Sequence, residues 1–349
     1  MNPHPLLATL LDGTTLDEPS AEEAIGAILE GRLDAAQIAA LLSLIQARGA
    51  TVDELVGGAR AMRRHVTPVP FDEPGTIILD TCGTGGAPKT FNVSTVVALV
   101  TAAAGSTAHA VAPGSPRVVV AKHGNRSRTG RGSAEVLAAL GVNVDATPEV
   151  QARCLREAGV CFCFAIHHHP AARHAAPVRR ALGFPTLFNL LGPLTNPARA
   201  SRQLLGVYDA RAARLVAEAL ARLGSERAIV LHSQDGLDEI SLSAPTTLVH
   251  VEHGRTREES IDPATFGVPR ATVESLTARD LDHATAIVRD VLADQPGPTH
   301  DIVRVNTAAA LLAAGVVTDF GAGLVLAREA IASGAAASTL ASIARVSRE

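Results

Sequence analysis

Residues able to hold an anion are concentrated in one run, Asp-Thr-Cys-Gly-Thr-Gly-Gly-Ala-Pro-Lys-Thr-Phe-Asn-Val-Ser-Thr at 80–95. A strand-like run, Thr76 to Asp80, enters it, and a helix-like run, Val96 to Ala104, leaves it. Between them stand Gly83, Gly85 and Gly86, then Asn92, Ser94 and Thr95. Without a Cβ, glycine lets backbone N–H groups crowd an anion. The start of the following helix adds unpaired donors and the positive end of a dipole. The run therefore reads as a phosphate-binding loop, against the plainer reading of a glycine-rich turn before a helix. It has neither the Gly-Lys-Ser/Thr ending nor the G-x-G-x-x-G spacing of the common nucleotide loops.

A second cluster follows at 120–133. A strand-like segment ends in Lys122, His123, Gly124 and Asn125, and the loop after it carries Arg126, Ser127, Arg128, Thr129, Arg131 and Ser133. Cations with hydroxyl donors suit phosphate oxygens; a solvated basic loop is the alternative. Two such loops after neighbouring strands point to a ligand with two phosphate groups. A third run, Ser-Gln-Asp-Gly-Leu-Asp-Glu-Ile-Ser at 233–241, sets Asp238 beside Glu239. In a turn, adjacent carboxylates can converge on a cation, and Mg²⁺ needs only one or two of them with the rest of its shell from water and substrate phosphate. An ordinary acidic turn is the competing reading. Arg179, near the apolar run at 187–197, can fork onto a carboxylate or lie as a surface arginine. Three consecutive histidines, His167 to His169, cannot all face one ion on a regular element, and His169-Pro170 reads as a helix start.

These residues need a scaffold that brings three loops together. The first 65 residues read as helical, with capping-box patterns at Ser20/Glu23, Asp34/Gln37 and Thr51/Glu54, and with Gly31 and Gly49 as helix stops. Ile38, Leu41, Leu42 and Ile45 give one apolar stripe, which must be covered by other helices, a later segment or a second subunit. After Pro68 and Pro70 strands and helices alternate. Strands are predicted at 76–80, 118–122, 160–165, 203–208, 227–232 and 246–252, with helices near 93–104, 133–140, 148–158 and 210–223. This pattern implies a mainly parallel sheet covered by helices, whose ligands bind at the carboxyl ends of strands. Residues 106–117 read as a polar loop, 167–183 as helix-like and rich in His and Arg, and 270–349 as helical and alanine-rich.

Composition narrows the function. The 349 residues carry 47% hydrophobic and 19% charged side chains, enough apolar material for a large core. A net charge of −4 argues against a non-specific nucleic-acid binder. The absence of Trp and the single Tyr argue against stacking platforms for single strands. Cys82, Cys154, Cys161 and Cys163 form no CxxC pair and read as reduced cytosolic thiols, Cys161 and Cys163 on one strand face. Neither a secretory signal nor an apolar run of about 20 residues is evident. The expectation is a soluble cytoplasmic protein with no membrane or nucleic-acid partner.

Taken together, Gly83-Thr84-Gly85-Gly86, Phe91 to Thr95, Lys122 to Ser127, Gly132 to Glu135, Leu187 to Leu194 and Asp238-Glu239 resemble the anthranilate phosphoribosyltransferases, in order and spacing, over about residues 5–345. The Lys-His-Gly-Asn block with the downstream Asn-Leu-Leu-Gly-Pro run is specific; the glycine loop is shared with related nucleoside phosphorylases. The resemblance implies an α/β protein of the nucleoside phosphorylase and phosphoribosyltransferase type. A small helical domain, 1–70, joined by about 167–190, would sit on a large α/β domain, 71–349, as a homodimer. It implies transfer of the phosphoribosyl group of phosphoribosyl pyrophosphate to the amine of anthranilate, releasing pyrophosphate, in tryptophan biosynthesis, with Mg²⁺ as cofactor.

Carried over to this sequence, the resemblance implies phosphoribosyl pyrophosphate contacts from Gly83, Gly86, Ala87, Thr90, Asn92, Val93, Ser94, Thr95, Lys122, His123, Gly124, Asn125, Arg126, Ser127 and Ser133. Anthranilate would meet Gly83, Asn125 and Arg179, and Mg²⁺ would meet Ser94, Asp238 and Glu239. No single side chain is expected to serve as an indispensable base. The chain departs from the family pattern in places. Ala87 stands where Asp is usual, Pro88 and Lys89 close a loop about one residue shorter, and Pro185 stands where Arg is common. About ten extra residues lie around 107–117. Three other readings stay open: a phosphoribosyltransferase for another aromatic amine, a nucleoside phosphorylase, and a non-catalytic homologue that binds nucleic acid.

Overall fold

The computed structural model describes residues 4–85, 87, 90–112, 115–127 and 130–349. Among these, a small N-terminal helical domain precedes a large α/β domain built on a seven-stranded sheet. The strands are β1 (Thr76–Gly83), β2 (Arg117–Gly124), β3 (Val160–Phe164), β4 (Arg202–Gly206), β5 (Arg227–Ser233), β6 (Thr246–Glu252) and β7 (Arg255–Ile261), in the order β3-β2-β1-β4-β5-β6-β7. The first five run parallel, while β6 and β7 are antiparallel. From β1 the chain first winds outward to β2 and β3, then returns to the other side for β4. The switch point therefore lies between β1 and β4, where open α/β sheets bind ligands.

Six strands fall where the apolar runs predicted them. The sequence pattern missed β7, whose Arg-Thr-Arg-Glu-Glu-Ser-Ile carries little apolar signal because it is a mostly exposed edge. It is reached through a tight hairpin at His253-Gly254, both with positive φ, the backbone such two-residue turns require.

The sheet is buried on both faces, and its central strands alternate accordingly. On β5, Ile229 and Leu231 join the core under the helices Val93–Val111 and Pro298–Ala314, whereas Ala228 and Val230 join the core under the helix Ala210–Arg222. That second core runs without a break into the N-terminal helices, through Ile25, Leu41, Leu42 and Leu55.

The N-terminal helices are His4–Leu11, Glu18–Leu29, Ala35–Arg48 and Val52–Arg64. The capping boxes at Asp34/Gln37 and Thr51/Glu54 are present. The one at Ser20/Glu23 is not: Asp17 caps that helix by accepting from the Ser20 N–H, which puts Ser20 inside the first turn. The segment after β3 forms the short helices Ala165–His168, Pro170–His174 and Ala176–Leu182 and packs back onto Glu18–Leu29 and Ala35–Arg48.

The polar loop predicted from residue 106 is also corrected. The helix Val93–Val111 continues through Ser106 and Thr107, and Thr107 Oγ1 donates to the Ala103 carbonyl. Ala and Thr do not break a helix, so the expected stop had no residue to enforce it before Pro113. This helix is apolar and long enough to cross a membrane by composition alone, but 67% of that stretch is buried within the protein.

Candidate active site

The three loops read from sequence meet at the switch point. Lys122, near the end of β2, is 3% exposed. Its Nζ donates to the Thr81 carbonyl on β1 at 2.7 Å and to Ser94 Oγ at 3.2 Å. Ser94 opens the helix that follows the glycine loop, and its N–H donates to the buried Glu239 carboxylate. Lys122, Ser94 and Glu239, far apart in sequence, thus form one cluster over the ends of β1 and β2.

The carboxylate pair reaches this cluster because two strands end in glycine. A Cβ on Gly206, the last residue of β4, would fall on the Asp238 carbonyl. One on Gly83, the last residue of β1, would lie 2.7 Å from Asp238 Oδ2. The turn after β5 therefore lies directly on the sheet end. Gly83 was singled out by its motif; Gly206 was not, because a lone glycine closing an apolar run carries no distinctive signal.

Asp235 was also missed as an individual residue. Its Oδ2 accepts from the hydroxyls of Ser241 and Ser243, each at 2.5 Å, which closes the turn on itself. Partial burial opposes its charge, but these serine hydrogen bonds prevail and hold its carboxyl below the usual range.

Charge in the cluster is unbalanced. Burial pushes Glu239 up to about 8, the Asp238 charge adds to the rise, and Lys122 and the Ser94 N–H oppose it. Burial pulls Lys122 down, against the neighbouring Asp80, Cys82, Glu239 and Asp238. Asp80 is fully buried beneath them, and burial raises its carboxyl as well. One ammonium thus faces three carboxyl groups. A divalent cation bridging to phosphate fits such a set, since Mg²⁺ asks for only one or two carboxylates. Among the described residues, no group of three His, Cys, Asp or Glu side chains is placed to hold a metal ion by itself.

The second loop lines the same crevice. Thr95 Oγ1 donates to Ser133 Oγ at 3.1 Å, and Asn92 Nδ2 donates to the Arg131 carbonyl at 3.1 Å, tying the first two loops together. Thr90 Oγ1 donates to the Phe91 carbonyl, and the Thr84 N–H donates to Gly206. Val93 is buried, with its N–H bonded to the Phe91 carbonyl. Asn125 Oδ1 accepts from the Arg126 N–H, and the Arg126 guanidinium lies 5.5 Å from the Phe164 ring centre. Gly124 packs on Phe162, where a Cβ would come within 2.6 Å. Ala87 and Ser127 flank these contacts in the two loops. Gly86, like Pro88, Lys89, Arg128 and Thr129, lies outside the described residues.

His123, expected beside phosphate, is buried and bonded within the protein. Its N–H donates to Asp80 Oδ1, its ring shares a 3.2 Å hydrogen bond with His169, and the Gly192 backbone engages it too. Burial, then the neighbouring histidines, keep it neutral, and burial takes His169 down to about 4. The histidine run is divided among three partners: His167 with Asp145, His168 with Thr67 and Gln151, and His169 with His123. Cys161 and Cys163 do share a face, with sulfurs 3.7 Å apart, and all four thiols are free and buried. Arg179 stands on Ala176–Leu182, donating to Asn189 Oδ1 at 3.3 Å and lying over the Phe188 ring.

Comparison with known proteins agrees with this architecture. Residues 4–66 match the helical bundle domain of a glycosyl transferase family, and residues 75–337 match its α/β domain. An anthranilate phosphoribosyltransferase of Solibacter usitatus is 47% identical over 342 residues, 97% of each chain. That of Rubrobacter xylanophilus is 46% identical over 339 residues, covering 96% of this chain and 95% of its own. The crystal structure of anthranilate phosphoribosyltransferase from Thermus thermophilus superposes with a TM-score of 0.89 at 38% identity, over 98% of this chain and 99% of that one. The Saccharomyces cerevisiae enzyme in complex with PRPP and Mg shares the fold, with a TM-score of 0.86 at 24% identity, over 98% of this chain and 96% of its own.

Proposed function

The chain belongs to the anthranilate phosphoribosyltransferase family, and from that membership we propose how its own residues divide the transfer of a phosphoribosyl group from phosphoribosyl pyrophosphate to anthranilate in tryptophan biosynthesis. The anthranilate nitrogen forms a bond to ribose C1′ while the bond from C1′ to the pyrophosphate oxygen breaks. Pyrophosphate leaves with the bonding pair, and the nitrogen then loses a proton. Carbon passes through an oxocarbenium-like state, as in glycoside chemistry. An aromatic amine needs no strong base for this, so orientation and charge neutralisation carry the rate.

The observation that carries this reading is the convergence of Lys122, Ser94 and Glu239 beside the glycine loop. Lys122, the amides after Gly83, Ala87, Thr90 and Asn92, and the hydroxyls of Thr95 and Ser133 would bind phosphoribosyl pyrophosphate. Val93, Gly124, Arg126 and Ser127 would add contacts from the same two loops, and the family resemblance assigns Gly86 to the first. His123 supports the floor rather than touching the ligand. Asp238, Glu239 and Ser94 would hold Mg²⁺, which when bound neutralises the pyrophosphate as it departs. Gly83 and Asn125 would border anthranilate, and Arg179, steadied by Asn189, would take its carboxylate.

The test is the loss of anthranilate fluorescence on mixing with phosphoribosyl pyrophosphate and Mg²⁺. Loss is expected, with the KM for anthranilate raised roughly tenfold to a hundredfold in Arg179→Ala, the worth of a charge-assisted hydrogen bond. No loss, from a folded protein that still binds phosphoribosyl pyrophosphate, would overturn the acceptor and favour another aromatic amine. We further propose a cytoplasmic homodimer through the helical domains. Exposed Leu11 on the first helix, and the buried reduced thiols, support it. A monomer by light scattering would refute the dimer.

A further inference from the structure

The helix Pro298–Ala314 is almost wholly apolar in its inner turns, yet Asn306 stands there with no exposed surface. A buried primary amide is costly unless its groups are bonded. Asn306 spends them on one peptide unit: Oδ1 accepts from the Ile240 N–H at 2.8 Å, and Nδ2 donates to the Ile240 carbonyl at 3.1 Å. A further bond, from Nδ2 to the Ile302 carbonyl at 2.9 Å, fixes the amide on its own helix. The side chain thus acts as a strand partner for Ile240, the residue that follows Asp238-Glu239. The Ser241 N–H is bonded to Thr246 Oγ1, and Ser241 Oγ to Asp235.

We propose that Asn306 is a positioning residue for this reaction: by gripping both polar groups of the Ile240 backbone, it fixes Asp238 and Glu239 at the spacing that receives the divalent cation. This rests on the reading of those two carboxylates as cation ligands. The amide also satisfies the N–H and carbonyl of the buried Ile240, which would otherwise lack these partners. Packing alone is satisfied by Leu or Ala, as at the neighbouring Ala308 and Leu311, both fully buried. Removing groups that orient metal ligands typically costs about tenfold to a hundredfold in metal affinity or activity.

The test is Mn²⁺ binding, read from the electron paramagnetic resonance signal of the free ion, with phosphoribosyl pyrophosphate present and its own Mn²⁺ binding subtracted. Asn306→Ala is expected to weaken Mn²⁺ binding about tenfold or more, with the KM for anthranilate within about twofold of the parent. Thr307→Val, an isosteric change at the adjacent buried position, is expected to leave Mn²⁺ binding unchanged. A folded Asn306→Ala protein with parental Mn²⁺ affinity, or an equal loss in Thr307→Val, overturns the proposal. Should Asn306→Ala not fold, Asn306→Asp, which keeps the acceptor and removes the donors when ionised, is measured in the same way. Weakened Mn²⁺ binding then supports the proposal and unchanged binding overturns it. Glu239→Gln separates the two readings. If it binds Mn²⁺ as the parent does, the cation assignment itself fails. If it loses Mn²⁺ while Asn306→Ala keeps it, only the positioning role fails.

Discussion

The two walls of the crevice are built differently. The carboxylate wall, residues 233–241, lies with main chain on main chain: the Asp238 backbone rests on Gly206, and its side chain on Gly83. The wall that carries Arg179 stands on short helices after β3, held to the rest of the molecule by a main-chain bond, from the Thr67 N–H to the His168 carbonyl at 2.8 Å, and otherwise by the side chains that follow. His168 is bonded to the Thr67 carbonyl and Gln151, His169 to His123, and Arg63 Nε donates to the Leu194 carbonyl. Coulomb energies change steeply at short range, so groups that must share one cation and one leaving group need fixed spacing. An acceptor that enters and leaves each cycle needs a wall that can yield. Backbone packing supplies the first property, and we propose that the side-chain contacts of the Arg179 segment supply the second.

The comparison breaks first if the carboxylate wall tolerates added volume. Gly206→Ala would drive a methyl group into the Asp238 carbonyl, and overpacking of this kind costs about 3 kcal/mol or more when backbone must move. A fall of several degrees in the thermal midpoint is expected, together with weaker Mg²⁺ dependence of the rate. Gly83→Ala meets the Asp238 carboxylate at 2.7 Å and the Gly206 carbonyl at an ordinary 3.4 Å, a side-chain rather than a backbone clash, so its cost is smaller. Equal midpoints for Gly206→Ala and the parent would show that this wall is not rigid.

This difference also governs what could be read from the sequence. Strands β1 to β6 and the helices at 133–140, 148–158 and 210–223 were legible because burial on both faces leaves unbroken apolar runs between turn signals. The edge strand β7 was not, since an exposed strand shows no such run. Lys122, Ser94, Asp238 and Glu239 stood out as polar groups at the ends of apolar runs. Gly206, Asp235 and Asn306 did not. Each is seen in contact with a protein neighbour, and those contacts appear only when β4, β5 and the helix Pro298–Ala314 are brought together. The pairing of His123 with His169 was hidden for the same reason: the two lie 46 positions apart. Ser20 shows a different limit, for Asp17 offers an equally good cap one position before the helix Glu18–Leu29.

A smaller effect is expected at the histidine contact that ties the yielding wall to β2. Folded His169 titrates near 4 because burial, then His168, disfavour its charge, against an ordinary value of 6.5. The unfolded chain therefore takes up a proton before the folded one does. This contribution to stability is complete above pH 6.5, and it is lost as the pH falls from there through 4. The loss between pH 7 and pH 5 is about 2 kcal/mol. His169→Gln keeps a hydrogen-bonding group for His123 without a titrating ring. It should shrink the acid-induced fall in the urea midpoint by about that amount. An unchanged pH profile would mean that His169 is charged in the folded protein, or that this contact opens readily.

The smallest effect is expected at the outer seam, where Arg222 on the helix Ala210–Arg222 is paired with Glu18 and with Asp53 at 2.6 Å on the N-terminal helices. The network looks substantial, since Glu18 also holds Arg60 at 2.5 Å. Yet Arg222 is 43% exposed, and solvent-exposed pairs contribute about 1 kcal/mol or less, screened further by salt. The apolar core shared by the helical domain, the helix Ala210–Arg222 and the sheet must therefore hold the two parts together. Arg222→Ala should lower the thermal midpoint by only a degree or two at low salt and by less at 0.5 M salt (about one Debye length of 4 Å), with the KM for anthranilate unchanged. If the variant instead raised that KM severalfold, the seam would be setting the position of the Arg179 wall, and the yielding wall would owe its placement to surface charge rather than to buried contacts.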